Sequence, residues 1–89
     1  MAYKIKLTKT AEKELSKLEK SSAVRIIKFL KERLSVSENP KSFGKQLTGN
    51  LAQFWRFRVG DYRIICDIKD DGLVILALRI AHRKEVYKP

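Results

Sequence analysis

The chain has 89 residues, with thirteen lysines, seven arginines and ten acidic residues, for a formal charge of +10. A domain of this size has room for one core between two layers and buries about 60–65% of the surface its unfolded chain exposes. A single cysteine excludes an internal disulfide, and the charge points to a polyanionic partner. No apolar run of signal-peptide length and no stretch approaching a membrane span is present, so the expectation is a soluble cytoplasmic protein.

Tyr3-Lys4-Ile5-Lys6-Leu7 alternates apolar and basic side chains, the pattern of a half-buried strand. Thr8 or Thr10 can cap a following helix whose apolar positions are Ala11, Leu15 and Leu18. Ser21-Ser22 breaks that helix and can cap a second one, with Val24, Ile27, Leu30 and Leu34 on one stripe, widened by Ile26 and Phe29. The short link makes the two an antiparallel helical hairpin, read as scaffold and docking surface without chemistry. Residues 35–50 are rich in turn formers and predict a loop, tied down by Phe43 and Leu47. Lys41 and Lys45 of this loop could line a nucleic-acid groove.

The stretch Phe54–Ile68 predicts two strands around a Gly60-Asp61 turn of type I′ or II′. Pairing then sets Val59 against Tyr62, Phe57 against Ile64 and Trp55 against Cys66 on an apolar face. Cys66 is thereby a small core hydrophobe and not a nucleophile. The other face sets Arg58 against Arg63, with Arg56 two residues along. Like charges directly opposite in a sheet are destabilising, so stability alone would rarely select this pair. Five of the seven arginines fall between residues 56 and 83, whereas ten of the thirteen lysines lie in residues 1–50. Arginine presents a planar donor fork that matches phosphate oxygens, which places the functional charge in the second half.

A third strand follows, Leu73–Ala81, nearly all apolar. A three-residue loop Asp70-Asp71-Gly72, with Gly72 left-handed, would put Val74, Leu76, Leu78 and Ile80 on the apolar face. Ile75, Ala77, Arg79 and Ala81 would then join the arginine face, with Arg79 opposite Arg63. The apolar run suits an interior strand with the N-terminal strand on its free side. The expected fold is α+β, ordered β-α-α-β-β-β, with a helical hairpin on one face of a small, mainly antiparallel sheet and a single domain over residues 1–89.

The chain ends His82-Arg83-Lys84-Glu85-Val86-Tyr87-Lys88-Pro89. Arg83 shares the parity of Arg79 and Arg63, and Tyr87 could fold back to stack on a base. This constellation suits cleavage of an RNA phosphodiester, in which the 2′-hydroxyl attacks phosphorus and fixed donors stabilise the developing charge. Arginine is a poor general base, and His82 is the one residue with an unperturbed pKa near neutrality. No cluster of metal-ligand type and no P-loop, dinucleotide or nucleophile-elbow motif is present, so neither metal nor cofactor is expected.

FWRFRVGDYRII, followed by DDGLVILALRIAHRKEVY, resembles the RelE toxins of the RelE/ParE toxin–antitoxin superfamily, over essentially the whole chain. The resemblance implies a ribosome-dependent endoribonuclease that cuts mRNA in the A site of the 70S ribosome and leaves a 2′,3′-cyclic phosphate. It implies an acidic RelB-like antitoxin that blocks the toxin, and operator DNA binding by the complex alone. By motif, Arg63 and Arg83 would hold the scissile phosphate and Tyr87 would orient a base. Arg56 and Arg58 fall where the best-known pattern has lysines, one of them a proposed base, and His82 is a candidate for that role. Arg79, Lys45 and Lys84 complete the expected RNA-binding set. A ParE-like inhibitor of DNA gyrase, with the same fold and no RNA cleavage, is the alternative.

Overall fold

In the computed structural model, which describes residues 2–83, strand β1 (Lys4–Leu7) leads directly into helix α1 (Lys9–Ser16). Thr8 is the cap: its side-chain oxygen accepts from the Ala11 amide at 3.0 Å and its hydroxyl donates to the Leu78 carbonyl at 2.9 Å. The break after α1 comes earlier than Ser21-Ser22. The Lys17 and Leu18 amides bond three residues back, to Glu14 and Leu15, so the last turn tightens and Leu18 turns onto the core. Ser21 and Ser22 lie inside α2 (Lys20–Lys28), with Glu19 at its N-cap.

Helix α2 continues as a π-helical segment, Phe29–Leu34, in which the Ser35 amide reaches the Leu30 carbonyl at 2.9 Å. Ile26, Leu30 and Leu34, spaced by four, are fully buried. Val24 is 45% exposed and outside the expected stripe, because it stands two residues, or about 200° of helical turn, from Ile26.

Residues 35–50 hold more than a loop. They contain a 3₁₀ turn at Pro40–Phe43, a short strand β2 (Lys45–Gln46) and the start of a second 3₁₀ turn, Gly49–Leu51. Then come β3 (Phe54–Val59), β4 (Tyr62–Lys69) and β5 (Val74–His82). The sheet runs β1-β5-β4-β3-β2, with β1 parallel to β5 and the remaining pairs antiparallel.

The β3–β4 register is the expected one, including Arg58 opposite Arg63. Gly60 has φ +58° while Asp61 has no positive φ, which is the sign pattern of the type II′ turn. The β4–β5 turn departs from expectation. It spans four residues, Asp70–Leu73, closed by the Leu73 amide on the Asp70 carbonyl, and the left-handed residue is Leu73 at φ 52°, not Gly72. Lys69 therefore pairs with Val74, and Ile75 and Ala77 enter the core while Val74 and Leu76 face away. A bulge at Ile65/Cys66 then shifts the register by one. It returns Ile80 to the core side opposite Ile64, and sets Arg79 against Ile65 and Ala81 against Arg63.

The core thus lies between the helices and one face of the sheet, where Phe57, Ile64, Cys66, Ile75, Ala77 and Ile80 meet Ile26, Leu30 and Leu34. Burial of each larger side chain there contributes about 1.5–3 kcal/mol. Among the described residues, no α-helix packs on the opposite face. Among the described residues, no helix is long and apolar enough to cross a membrane.

Candidate nucleic-acid interface

The helix-free face takes its character from strand alternation. Phe57 and Ile64 point to the core, so their neighbours Arg56, Arg58 and Arg63 must point away from it. β2 adds a fourth cation, because Lys45 stands directly opposite Arg56. Gly44 is what lets β2 come that close. A Cβ on Gly44 would lie 2.6 Å from the Arg56 carbonyl oxygen and 2.7 Å from the Phe57 ring. The result is a groove of about 400 Å³ lined by Ser42, Phe43, Gly44, Lys45, Arg56, Arg58 and Arg63.

Its charge is not neutralised from within. Among the described residues, no carboxylate comes within 4 Å of Lys45, Arg56, Arg58 or Arg63. Two unit charges about 5 Å apart repel by roughly 3 kcal/mol at an effective dielectric of 20, and by under 1 kcal/mol in bulk water. An anion entering the groove relieves that repulsion while it gains fixed donors. The donor set of the groove matches the oxygens of a phosphate or another oxyanion.

Other expected site residues are placed differently. Arg79 is tied to α1: its Nη2 and Nε donate to the Glu14 carboxylate at 3.0–3.2 Å, and the same carboxylate accepts the Ile80 amide at 2.8 Å. Glu14 of α1 thus holds the edge of β5 beyond the end of β1. Arg83 lies beside the β3–β4 turn, its amide on the Asp61 carbonyl and its Nε 3.7 Å from Asp61 Oδ1. Both side chains of that pair are more than half exposed, so it is worth at most about 1 kcal/mol and is readily exchanged for a phosphate. His82 is opposite Tyr62, ring edge to ring face with centroids 5.3 Å apart. Tyr62 packs against the core, so the imidazole lies on the helix side of the sheet and not in the arginine groove. Lys84 and Tyr87 lie outside the described residues.

Lys41 turns away from the groove, donating to Asp70 Oδ2 at 3.0 Å and lying 5.8 Å from the Trp55 ring centre. Hydrogen bonds from Tyr3 and Lys41 hold the Asp70 carboxyl below its ordinary range, and the Tyr3 hydroxyl is raised in turn by its bond to Asp70. Phe43 does not pin the loop by burial, being 43% exposed. The Arg33 guanidinium lies 5.6 Å from its ring centre instead. Sequence reading missed Ser42, Phe43 and Gly44 as groove residues. The available signal was a glycine directly before Lys45, where close backbone approach is the usual reason for the residue type.

A pair of helices on one face of a mixed five-stranded sheet is the architecture of the RelE-type toxins. The family model described as the ParE toxin of the parDE type II toxin–antitoxin system matches residues 5–87. Toxin RelG of Mycobacterium tuberculosis is 32% identical over 88 residues, 99% of both chains. Toxin RelE of the same organism is 30% identical over 86 residues, 97% of this chain and 87% of that one. Among solved structures, the RelBE2 toxin–antitoxin complex of M. tuberculosis superposes with a TM-score of 0.86 at 30% identity, covering 96% of this chain and 95% of that one. The archaeal RelE–RelB complex of Pyrococcus horikoshii superposes with a TM-score of 0.74 at 30% identity, covering 97% of this chain and 100% of that one. The chain belongs to the RelE/ParE superfamily of type II toxin–antitoxin toxins.

Proposed function

We propose that the protein is a ribosome-dependent endoribonuclease that cleaves mRNA in the ribosomal A site by attack of a 2′-hydroxyl on the adjacent phosphodiester. The observation that carries this reading is the groove of Lys45, Arg56, Arg58 and Arg63, whose charge no described carboxylate offsets. In the displacement the O2′–P bond forms, the P–O5′ bond breaks, and a 2′,3′-cyclic phosphate remains. Negative charge builds on the non-bridging oxygens, where fixed guanidinium donors are worth most. Arg56, Arg58 and Arg63 supply that stabilisation from the groove, and Arg83 adds to it by leaving Asp61.

The 2′-hydroxyl must lose a proton and the 5′-oxygen must gain one. The groove residues include no group that titrates near neutrality in its unperturbed form. His82, on the helix side, acts through Tyr62 and the β5 terminus as a positioning residue. Proton transfer then falls to the chain's last residues or to the ribosome, and Tyr87 is retained as the residue that orients a base. Lys84 and Arg79 are assigned to the outer RNA contacts, Arg79 the weaker because of its bond to Glu14. The reaction needs no metal and takes place in the cytoplasm, where the ribosomes are.

The partner proposed is a RelB-like antitoxin, by analogy with the RelBE2 and archaeal RelE–RelB complexes, and the +10 charge of the toxin calls for an acidic chain that folds over the cationic face. Operator DNA is bound by the toxin–antitoxin complex only. A second reading, inhibition of DNA gyrase without RNA cleavage, is favoured by the ParE description of the matching family model. Induction of the wild type, Arg63→Ala and Arg83→Ala, with primer extension on a translated mRNA and a supercoiling assay, separates the two. The nuclease reading requires cuts that both substitutions weaken. Toxicity that survives both substitutions, with supercoiling blocked, establishes the gyrase reading in its place.

A further inference from the structure

Phe43 lines the groove at a position where only part of it is buried. It is 43% exposed, it lines the same cavity as Lys45, Arg56, Arg58 and Arg63, and it belongs to a 3₁₀ turn that ends at Gly44. A large aromatic ring left open beside four cations gains little from burial and exposes apolar surface to water. Yet the ring is held. The Arg33 guanidinium covers it at 5.6 Å from the ring centre, a cation–π contact that backs the ring from the π-helical segment. Gly44 fixes the turn against β3, because any side chain there would strike the Arg56 carbonyl and the Phe57 ring.

An aromatic residue adjoining a cationic groove is the arrangement that binds a nucleotide in two parts, the phosphate by charge and the base by stacking. We propose that Phe43 is the stacking platform for one base of a single-stranded RNA whose adjoining phosphate lies on Lys45, Arg56, Arg58 and Arg63. The proposal rests on the reading of that groove as a phosphate site. Stacking accepts every base through its π-face, so Phe43 contributes affinity and register without selecting a base. Arg33 acts through Phe43, holding the ring and enriching the contact with its own charge.

The test uses the full-length toxin and a six-nucleotide RNA carrying 2-aminopurine at one position and a 2′-O-methyl sugar at each position, which blocks the attacking hydroxyl and prevents cleavage. Fluorescence quenching reports stacking, and the dependence of affinity on salt reports phosphate contacts. Phe43→Ala is expected to lower affinity on the order of tenfold and to remove most of the quenching, with the salt dependence unchanged. Phe43→Tyr should restore both. Phe43→Leu, which keeps apolar bulk without a π-face, should not. Arg56→Ala and Arg63→Ala should instead reduce the salt dependence.

The failures are distinct. If the arginine substitutions leave affinity and salt dependence untouched, the phosphate reading of the groove falls and the platform with it. If they act as expected while Phe43→Ala and Phe43→Leu keep wild-type affinity and quenching, the groove stands and the platform is wrong. If Phe43→Ala weakens only the antitoxin complex, the ring is a protein-docking contact and the proposal is overturned.

Discussion

Glu14 and Arg79 are joined by three hydrogen bonds of 3.0–3.2 Å, and the same carboxylate takes the Ile80 amide at 2.8 Å. β1 ends at Leu7, opposite Ala77, so among the described residues no strand pairs with β5 beyond that point on this edge. Glu14 fills the gap with a side chain. The ion pair alone, with Arg79 46% exposed, is worth at most about 1 kcal/mol. The amide contact adds about 1 kcal/mol more. Glu14→Ala should therefore cost about 1–2 kcal/mol in urea denaturation and Arg79→Ala less. In cleavage assays Arg79→Ala should stay within a few-fold of wild type, because its guanidinium is already engaged.

Arg58 and Arg63 oppose each other without a carboxylate nearby among the described residues. Arg58→Gln keeps the aliphatic stem and removes the repulsion. The variant should be more stable than wild type by a few tenths of a kcal/mol at low ionic strength. The gain should shrink as salt is added. A stability loss of similar size at low salt would mean the pair is compensated in some other way.

Gly44 is the hinge between the groove and the core. Gly44→Ala places a methyl group 2.6 Å from backbone and 2.7 Å from the fully buried Phe57. Neither can move freely, so the substitution should cost about 1–3 kcal/mol. It should also carry Lys45 away from Arg56, lowering nuclease activity by more than the loss of folded protein accounts for. Thermal denaturation and activity per folded molecule, measured together, check both halves.

Cys66 is fully buried, and burial pushes its thiol from 9.0 up to about 12. The folded state therefore holds this proton where the unfolded chain releases it. Stability from this group is intact below pH 9 and declines as pH rises through the alkaline range toward 12. Cys66→Ala should flatten that decline. A disulfide reagent at pH 8 should modify wild-type protein only as fast as it unfolds.

Much of the fold was legible because the signals were local. Alternation in Tyr3–Leu7, the cap at Thr8 and the Gly60-Asp61 turn each depend on a few adjacent residues, and the Arg58–Arg63 pair follows from the turn length alone. The β4–β5 register was not legible. Gly72 is the ordinary choice for a left-handed position, yet Leu73 adopts it, and Leu73 packs against the core. Tertiary packing outweighed local preference, and a bulge one strand-length away corrected the parity so that Arg79 still left the core. The site was legible to the same degree. Arg56, Arg58 and Arg63 followed from parity, and Lys45 from composition. Glu14 needed the third dimension, because its partner Arg79 lies 65 residues away, and Phe43 because only the pairing of β2 with β3 sets it beside Arg56.

The ends of the cut RNA report most directly on the chemistry proposed for the arginine groove. In a translating extract, wild-type toxin should generate fragments ending in 2′,3′-cyclic phosphate within the translated region of the mRNA. Arg63→Ala, folded and able to bind ribosomes, should lower their yield by about 10²–10³. Fragments with plain 3′-hydroxyl ends, or cyclic ends at undiminished yield with Arg63→Ala, would contradict it.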